Sequence, residues 1–358
     1  MYINGCGAIT PQETYKGTLP VSMTEHQGYR LDCLEPEYKS IIPPRVSRRM
    51  SRIVKMSVAA SRMALTEAGI EMPDGIITGS GLGCMSHTEK FLTAITENEE
   101  KLLNPAPFIH STHNTISSQI ALFLKCTGYN QTYVQGAHSF ESGVLDASML
   151  LREAAFSTLL VGGADEMTTN LFTIMNRFGH WKRNEHANRD FYHPPSKGTM
   201  AGEGSVFFVV GASQTEHAYA TIEDVDMYYG KLDGTLIVQR VQDFLKNNRR
   251  TLDDLDLCFL GKNGDNRFDG IYNDLEKQVS SNCPTALYKH LCGEYYTSSA
   301  FATWLIAHLI KQQTIPDYIQ LSAAPSKPLK TVLSINSHQD KYLSLMLIEA
   351  CDQPTMPI

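Results

Sequence analysis

The stretch QTYVQGAHSFESGVLDASMLLREAAFSTLLVGGAD, residues 131–165, decides how the chain is read. Gln131 to Val134 reads as a short strand, ended by Gly136. Gly143 to Arg152 fits a buried helix whose start lies nearer His138. Thr158 to Val161 is a second strand, running into Gly162-Gly163-Ala164-Asp165. A strand, a buried helix and a strand in succession point to a layered α/β fold.

The alternation continues in both directions. Tyr2-Ile3 leads through Gly5-x-Gly7 to Thr10-Pro11, a short buried strand closed by a turn. Residues 47–68 carry apolar positions at helical spacing, and Gly69 stops that helix. Ile76-Ile77 predicts a strand entering Gly79-Ser-Gly-Leu-Gly83, and Ser117 to Leu124 a helix. Ser205 to Val210 is almost wholly apolar, as expected of a strand covered on both faces. Further on, Leu257–Leu260 reads as a strand, Tyr272–Val279 as a helix and Thr297–Lys311 as a long amphipathic helix. Thr331–Ile335 and Tyr342–Ile348 look like paired strands joined at His338-Gln339-Asp340. The small, polar stretch Gly211 to Glu216 suggests a division into residues 1–212 and 213–358.

Composition narrows the function classes. The chain has 358 residues, 42% apolar and 19% charged, enough for a large core and more than one compact unit. A net charge of −7 argues against broad nucleic-acid binding. No apolar run approaches the roughly 18–20 residues of a membrane span, and the N-terminus shows no secretory signal, so a cytoplasmic setting is expected. Eight cysteines without a C-x-x-C pair read as buried, reduced thiols. Arg45, Arg48, Arg49, Arg52 and Lys55 form the one basic cluster. It is either a solvated helix face or a docking patch for an acidic protein.

Most other signals point away from common chemistries. Gly79–Gly83 lacks the G-x-G-x-x-G spacing of a dinucleotide site, and no G-x-S-x-G nucleophile elbow occurs. His110 and His113 have no evident third ligand, so neither metal nor cofactor is expected. His180, His186 and His193 fall in a polar segment that reads as a surface loop.

Several segments, in order, resemble the β-ketoacyl synthases. They are Gly5–Pro11, Pro44–Arg52 followed by Ser57–Ala60, Phe108–Ile116 followed by Ile120-Ala121, Leu160–Asp165, Met200–Ser205 and Lys289–Glu294. The resemblance implies a thiolase-like α/β fold: two similar βαβ halves forming a layered α-β-α-β-α core. That family holds an acyl group on a cysteine at a buried helix N-terminus, where the dipole and backbone N–H groups favour a thiolate and an oxyanion. Two histidines assist decarboxylation of a malonyl unit.

The match departs from this pattern where the chemistry would lie. After Tyr133-Val134, the nucleophile position falls on His138, or on Ser139 beside it; no cysteine occurs between Cys126 and Cys258. Asn263 occupies the first histidine position and Glu294 the second, while Lys289 is retained and is placed to pair with Glu294. The glycine-rich C-terminal motif appears as Asn336-Ser-His-Gln-Asp-Lys341, keeping Asn336-Ser337. An ionised carboxylate at Glu294 would repel a developing enolate, so ordinary condensation should be lost.

Some members of the family lack the cysteine and pair with an active synthase as a chain length factor in polyketide, aryl-polyene or pigment pathways. Ser139–Ala147, including Phe140 and Glu141, resembles the Leu-Asp-Ala helix of those subunits. The resemblance implies a heterodimer with a cysteine-bearing ketosynthase, and an acyl carrier protein as second partner, docked on Arg45, Arg48, Arg49 and Arg52. Gln131–Val134 is the expected pairing edge, with a homodimer the form if the chain is alone. Two alternatives stand beside it: an acyltransferase or 3-oxoacyl synthase using Ser139 with His138 or Asn263, and a non-catalytic docking partner of the carrier protein.

Overall fold

The structure, a computed structural model, describes residues 1–279, 283–325 and 327–351. Ten strands build the body of the fold among these residues. They are β1 (Tyr2–Ile9), β2 (Gly75–Gly79), β3 (Tyr129–Tyr133), β4 (Thr158–Asp165) and β5 (Gly204–Gly211), then β6 (Ala220–Tyr229), β7 (Leu257–Leu260), β8 (Thr285–Leu287), β9 (Thr331–His338) and β10 (Tyr342–Glu349). The spatial order is β3-β2-β4-β5-β1 in the first five and β8-β7-β9-β10-β6 in the second. Both therefore run third, second, fourth, fifth, first. The directions repeat as well: β2 is parallel to β3 and β4, and β7 to β8 and β9, while the remaining neighbours are antiparallel. Among the described residues, the strand pairing that joins the two fives is that of Tyr2 and Ile3 with Thr221 and Ala220.

Six helices form the layers: α1 (Arg52–Glu67), α2 (Thr115–Leu124), α3 (Ser139–Arg152), α4 (Gly234–Asn247), α5 (Asn273–Val279) and α6 (Ser298–Gln312). The strands are buried on both faces, and alternate residues enter different cores. Ile77 and Val161 face a central core with α3 and α6, whereas Ile76 and Leu160 face an outer core with α1 and α2. In the second half Leu257 and Phe259 face the centre, and Cys258 and Leu260 face α4 and α5. The result is the α-β-α-β-α stack.

The paired strands at the C-terminus register residue for residue, Thr331 with Glu349 through His338 with Tyr342. Gln339 and Asp340 both take positive φ, as a tight hairpin turn requires. Helix α6 corrects an expectation. Its residues 298–310 are all buried, so it is apolar all round rather than amphipathic, as befits a helix between two sheets. Strand β6 was not legible because Glu223, Asp224 and Asp226 interrupt its apolar pattern.

Gly79 fixes the approach of α3 to the sheet. A Cβ there would lie 2.5 Å from the Ser139 carbonyl carbon and oxygen. Gly79→Ala is expected to cost about 1–3 kcal/mol by overpacking, read as a lower denaturant midpoint.

Candidate functional site

The ends of β7 and β9 and the turn after Lys289–Cys292 converge at one point, near the C-terminal edge of parallel strands where α/β folds assemble sites. Glu294 lies at the centre. Its Oε1 accepts from Lys289 Nζ at 2.7 Å and its Oε2 from Asn263 Nδ2 at 2.9 Å. His338 Nδ1 approaches Oε1 at 3.4 Å. Lys289 is fully buried and also donates to Ser298 Oγ at 2.8 Å. Burial alone would raise the Glu294 carboxyl. Lys289 and His338 more than reverse this and hold it at about 2, so it is ionised at neutral pH. The expected Lys289–Glu294 pair is therefore present, with Asn263 as its third member.

Beside this cluster opens a cleft with a volume of about 50 Å³, room for a few water molecules. Asn263, Glu294 and His338 form its floor, with Tyr296, Trp181 and Met175 among its walls. His180, expected in a surface loop, lines the cleft, and its Nδ1 meets Gln339 Nε2 at 3.0 Å. None of the eight cysteines lines it.

The positions at the start of α3 stand apart from the cleft. His138 is buried, with Nε2 donating to the Leu343 carbonyl at 3.1 Å, and burial lowers its pKa. The Tyr342 ring packs edge-on against it at 5.0 Å and also meets the His338 ring at 6.2 Å, while Tyr296 packs against His338 at 5.1 Å. The Tyr342 ring thus bridges His138 and the His338 member of the Glu294 cluster. Ser139 is fully buried and its hydroxyl is spent on the backbone: it accepts from Gln135 N–H at 2.9 Å and donates to the Gly136 carbonyl at 2.7 Å. It donates to the Ser80 carbonyl as well, at 3.1 Å, so the hydroxyl is held by the turn before α3 and does not present a nucleophile.

The other expected pocket residues are structural. Phe140 packs in the central core against Phe208. Glu141 is fully buried, accepts from Ser344 Oγ at 2.7 Å, and burial raises its carboxyl. Asn336 Oδ1 accepts from Tyr288 OH at 3.1 Å and crowds Gly261, where a Cβ would sit 2.4 Å away. Arg45, Arg48 and Arg49 are exposed as a docking patch requires. Arg52 is not part of that patch. It forms a two-pronged ion pair with buried Glu203, both bonds 2.6 Å, and bonds Glu35.

Sequence reasoning missed His338 as a site residue. Its signal was its place inside Asn336–Lys341, the segment resembling the family's C-terminal motif. Arg267 and Asp265, paired at 2.5 Å in the cleft wall, carried no such signal.

The sequence model for the β-ketoacyl synthase N-terminal domain matches residues 9–215. The chain belongs to the β-ketoacyl synthase family. No curated protein sequence matches it. Solved structures show the same fold over almost the whole of both chains. An ishigamide ketosynthase/chain length factor has TM-score 0.79 and 17% identity, covering 98% of this chain and 99% of that one. A β-ketoacyl synthase from Burkholderia phymatum STM815 has TM-score 0.80 and 15% identity over the same shares. A ketosynthase (ApeO) in complex with its chain length factor (ApeC) from Xenorhabdus doucetiae has TM-score 0.75 and 13% identity, covering 98% of each chain. Among the described residues of this synthase-family chain, no helix is long and apolar enough to cross a membrane.

Proposed function

We propose that this chain is a catalytically degenerate ketosynthase subunit, a chain length factor that partners an active, cysteine-bearing ketosynthase in polyketide, aryl-polyene or fatty-acid-type elongation. One observation carries the reading: Glu294, which the sequence resemblance aligns with a catalytic histidine, is an ionised carboxylate fixed by Lys289 and Asn263. Such a carboxylate opposes enolate formation. The buried, backbone-bonded hydroxyl of Ser139 speaks against the acyltransferase alternative.

The partner side of the proposal draws on the surface. Strand β3 is a sheet edge, and Val134, Leu145, Met149 and Leu122 beside it are exposed. An open edge flanked by apolar side chains favours pairing with a second chain. The fold relatives that are ketosynthases with a chain length factor support the same arrangement. The two units 1–212 and 213–358, a cytoplasmic setting and an acyl carrier protein docked on Arg45, Arg48 and Arg49 belong to this proposal.

Mass spectrometry after incubation with acyl- and malonyl-carrier thioesters tests it, with and without the cysteine-bearing synthase from the same gene neighbourhood. The expected result is no stable adduct on this chain, with co-purification and elongated product only in the pair. A stable acyl adduct on Ser139 or on any cysteine of this chain would overturn it.

A further inference from the structure

We propose that His338, oriented by Glu294, is a general base that hydrolyses short acyl thioesters in the cleft. An ionised carboxylate only accepts hydrogen bonds, so the 3.4 Å contact assigns the proton of His338 to Nδ1. In the neutral imidazole Nε2 then carries the lone pair, and no described residue bonds to it, although His338 lines the cleft. Glu294 in turn is immobilised by Lys289 and Asn263. The contact is longer than an ideal hydrogen bond, as such contacts commonly are before substrate binds.

The cleft suits both reactants. Its volume of about 50 Å³, room for a few water molecules, limits any acyl group to a short one. Met167, Leu171, Met175 and Trp181 supply an apolar wall for the acyl carbons. Thr199 Oγ1 lies in the same lining, buried and without a hydrogen-bond partner among the described residues, so a polar ligand atom has a donor waiting. In the step, water gives a proton to Nε2 as its oxygen bonds to the thioester carbonyl carbon. The carbon–sulfur bond then breaks, and the departing thiolate takes the proton from the imidazolium. The products are a carboxylic acid and a thiol, with nothing oxidised or reduced.

The choice of a thioester rests on the proposed family role; the base and its orientation rest on the geometry alone. The test uses the purified full chain without its partner, with acetyl and butyryl thioesters of N-acetylcysteamine. Thiol release is followed with a chromogenic reagent, and the acid is analysed after reaction in ¹⁸O-water. Saturable release above the buffer rate is expected, with one labelled oxygen in the acid and a loss of roughly 100-fold or more in His338→Gln. That variant keeps the Lys289–Glu294 pair, and His338→Asn serves if it does not fold. No release above buffer, or equal release by a folded His338 variant, overturns the proposal. The chain-length role is read separately, as product formed by the unsubstituted chain with the partner synthase.

Discussion

Lys289→Met is expected to destabilise the fold by about 3–5 kcal/mol, the cost of breaking a buried ion pair from one side. Lys289 is fully buried and Glu294 nearly so, so the remaining carboxylate would lose its main counter-charge without gaining water. The pH dependence should change sign. In the native chain Glu294 is lowered from its ordinary 4.5 to about 2. Its stabilising contribution is therefore complete above about 4.5 and is lost as pH falls towards 2. Without Lys289, desolvation dominates and raises the carboxyl, so the variant recovers stability as it is acidified. The gap between variant and parent should thus narrow from pH 7 to pH 4. Combining Lys289→Met with Glu294→Gln should restore most of the loss, because the uncompensated charge is gone. Urea denaturation at both pH values measures this. A single-variant cost below about 1 kcal/mol would show that the pair contributes little.

The same pair shows what the sequence made legible. Lys289 and Glu294 are five residues apart, joined by a short helix and a turn at Gly293, so their meeting needed no long-range information. Strands such as Ser205–Val210 were visible because burial on both faces leaves an uninterrupted apolar run. Thr297–Lys311 was visible as a helix, but its environment was not. Its polar residues Ser298, Thr303 and His308 are buried and bonded to Lys289, to the Ser299 carbonyl and to the Trp304 carbonyl.

Contacts across distant segments account for the rest. His338 reaches Glu294 only because β9 lies beside β7. Tyr342 closes the space in front of His138 only because β10 folds back on β9. Register along one segment places His138 at the start of α3; it cannot reveal that an aromatic ring from residue 342 stands before it. Motif order therefore located the degenerate positions, while the shape of the cleft depended on the second half of the chain.

Arg52→Met separates structure from docking within the basic cluster. In sequence Arg52 resembles Arg48 and Arg49, but its guanidinium clamps Glu203, whose carboxylate is fully buried and also accepts from the Cys33 and Met167 backbone N–H groups. Those donors tie β5 to the loops before α1 and after β4. Burial alone would raise the Glu203 carboxyl, and Arg52 reverses the shift to a lowered one. Its contribution is therefore present at neutral pH and lost on acidification below the ordinary 4.5. Arg52 is 37% exposed, so water screens part of the pair. The expected cost is about 2–3 kcal/mol, below the full penalty for a wholly buried pair. Arg48→Glu and Arg49→Glu should instead leave stability within about 0.5 kcal/mol, as exposed substitutions do. On the docking proposal, they weaken association with an acidic carrier protein at low salt, and added salt shrinks the difference. Thermal melts and carrier-binding titrations on the three variants test both halves. Unchanged stability in Arg52→Met would refute the structural clamp, and unchanged carrier binding in Arg48→Glu and Arg49→Glu would remove the docking patch.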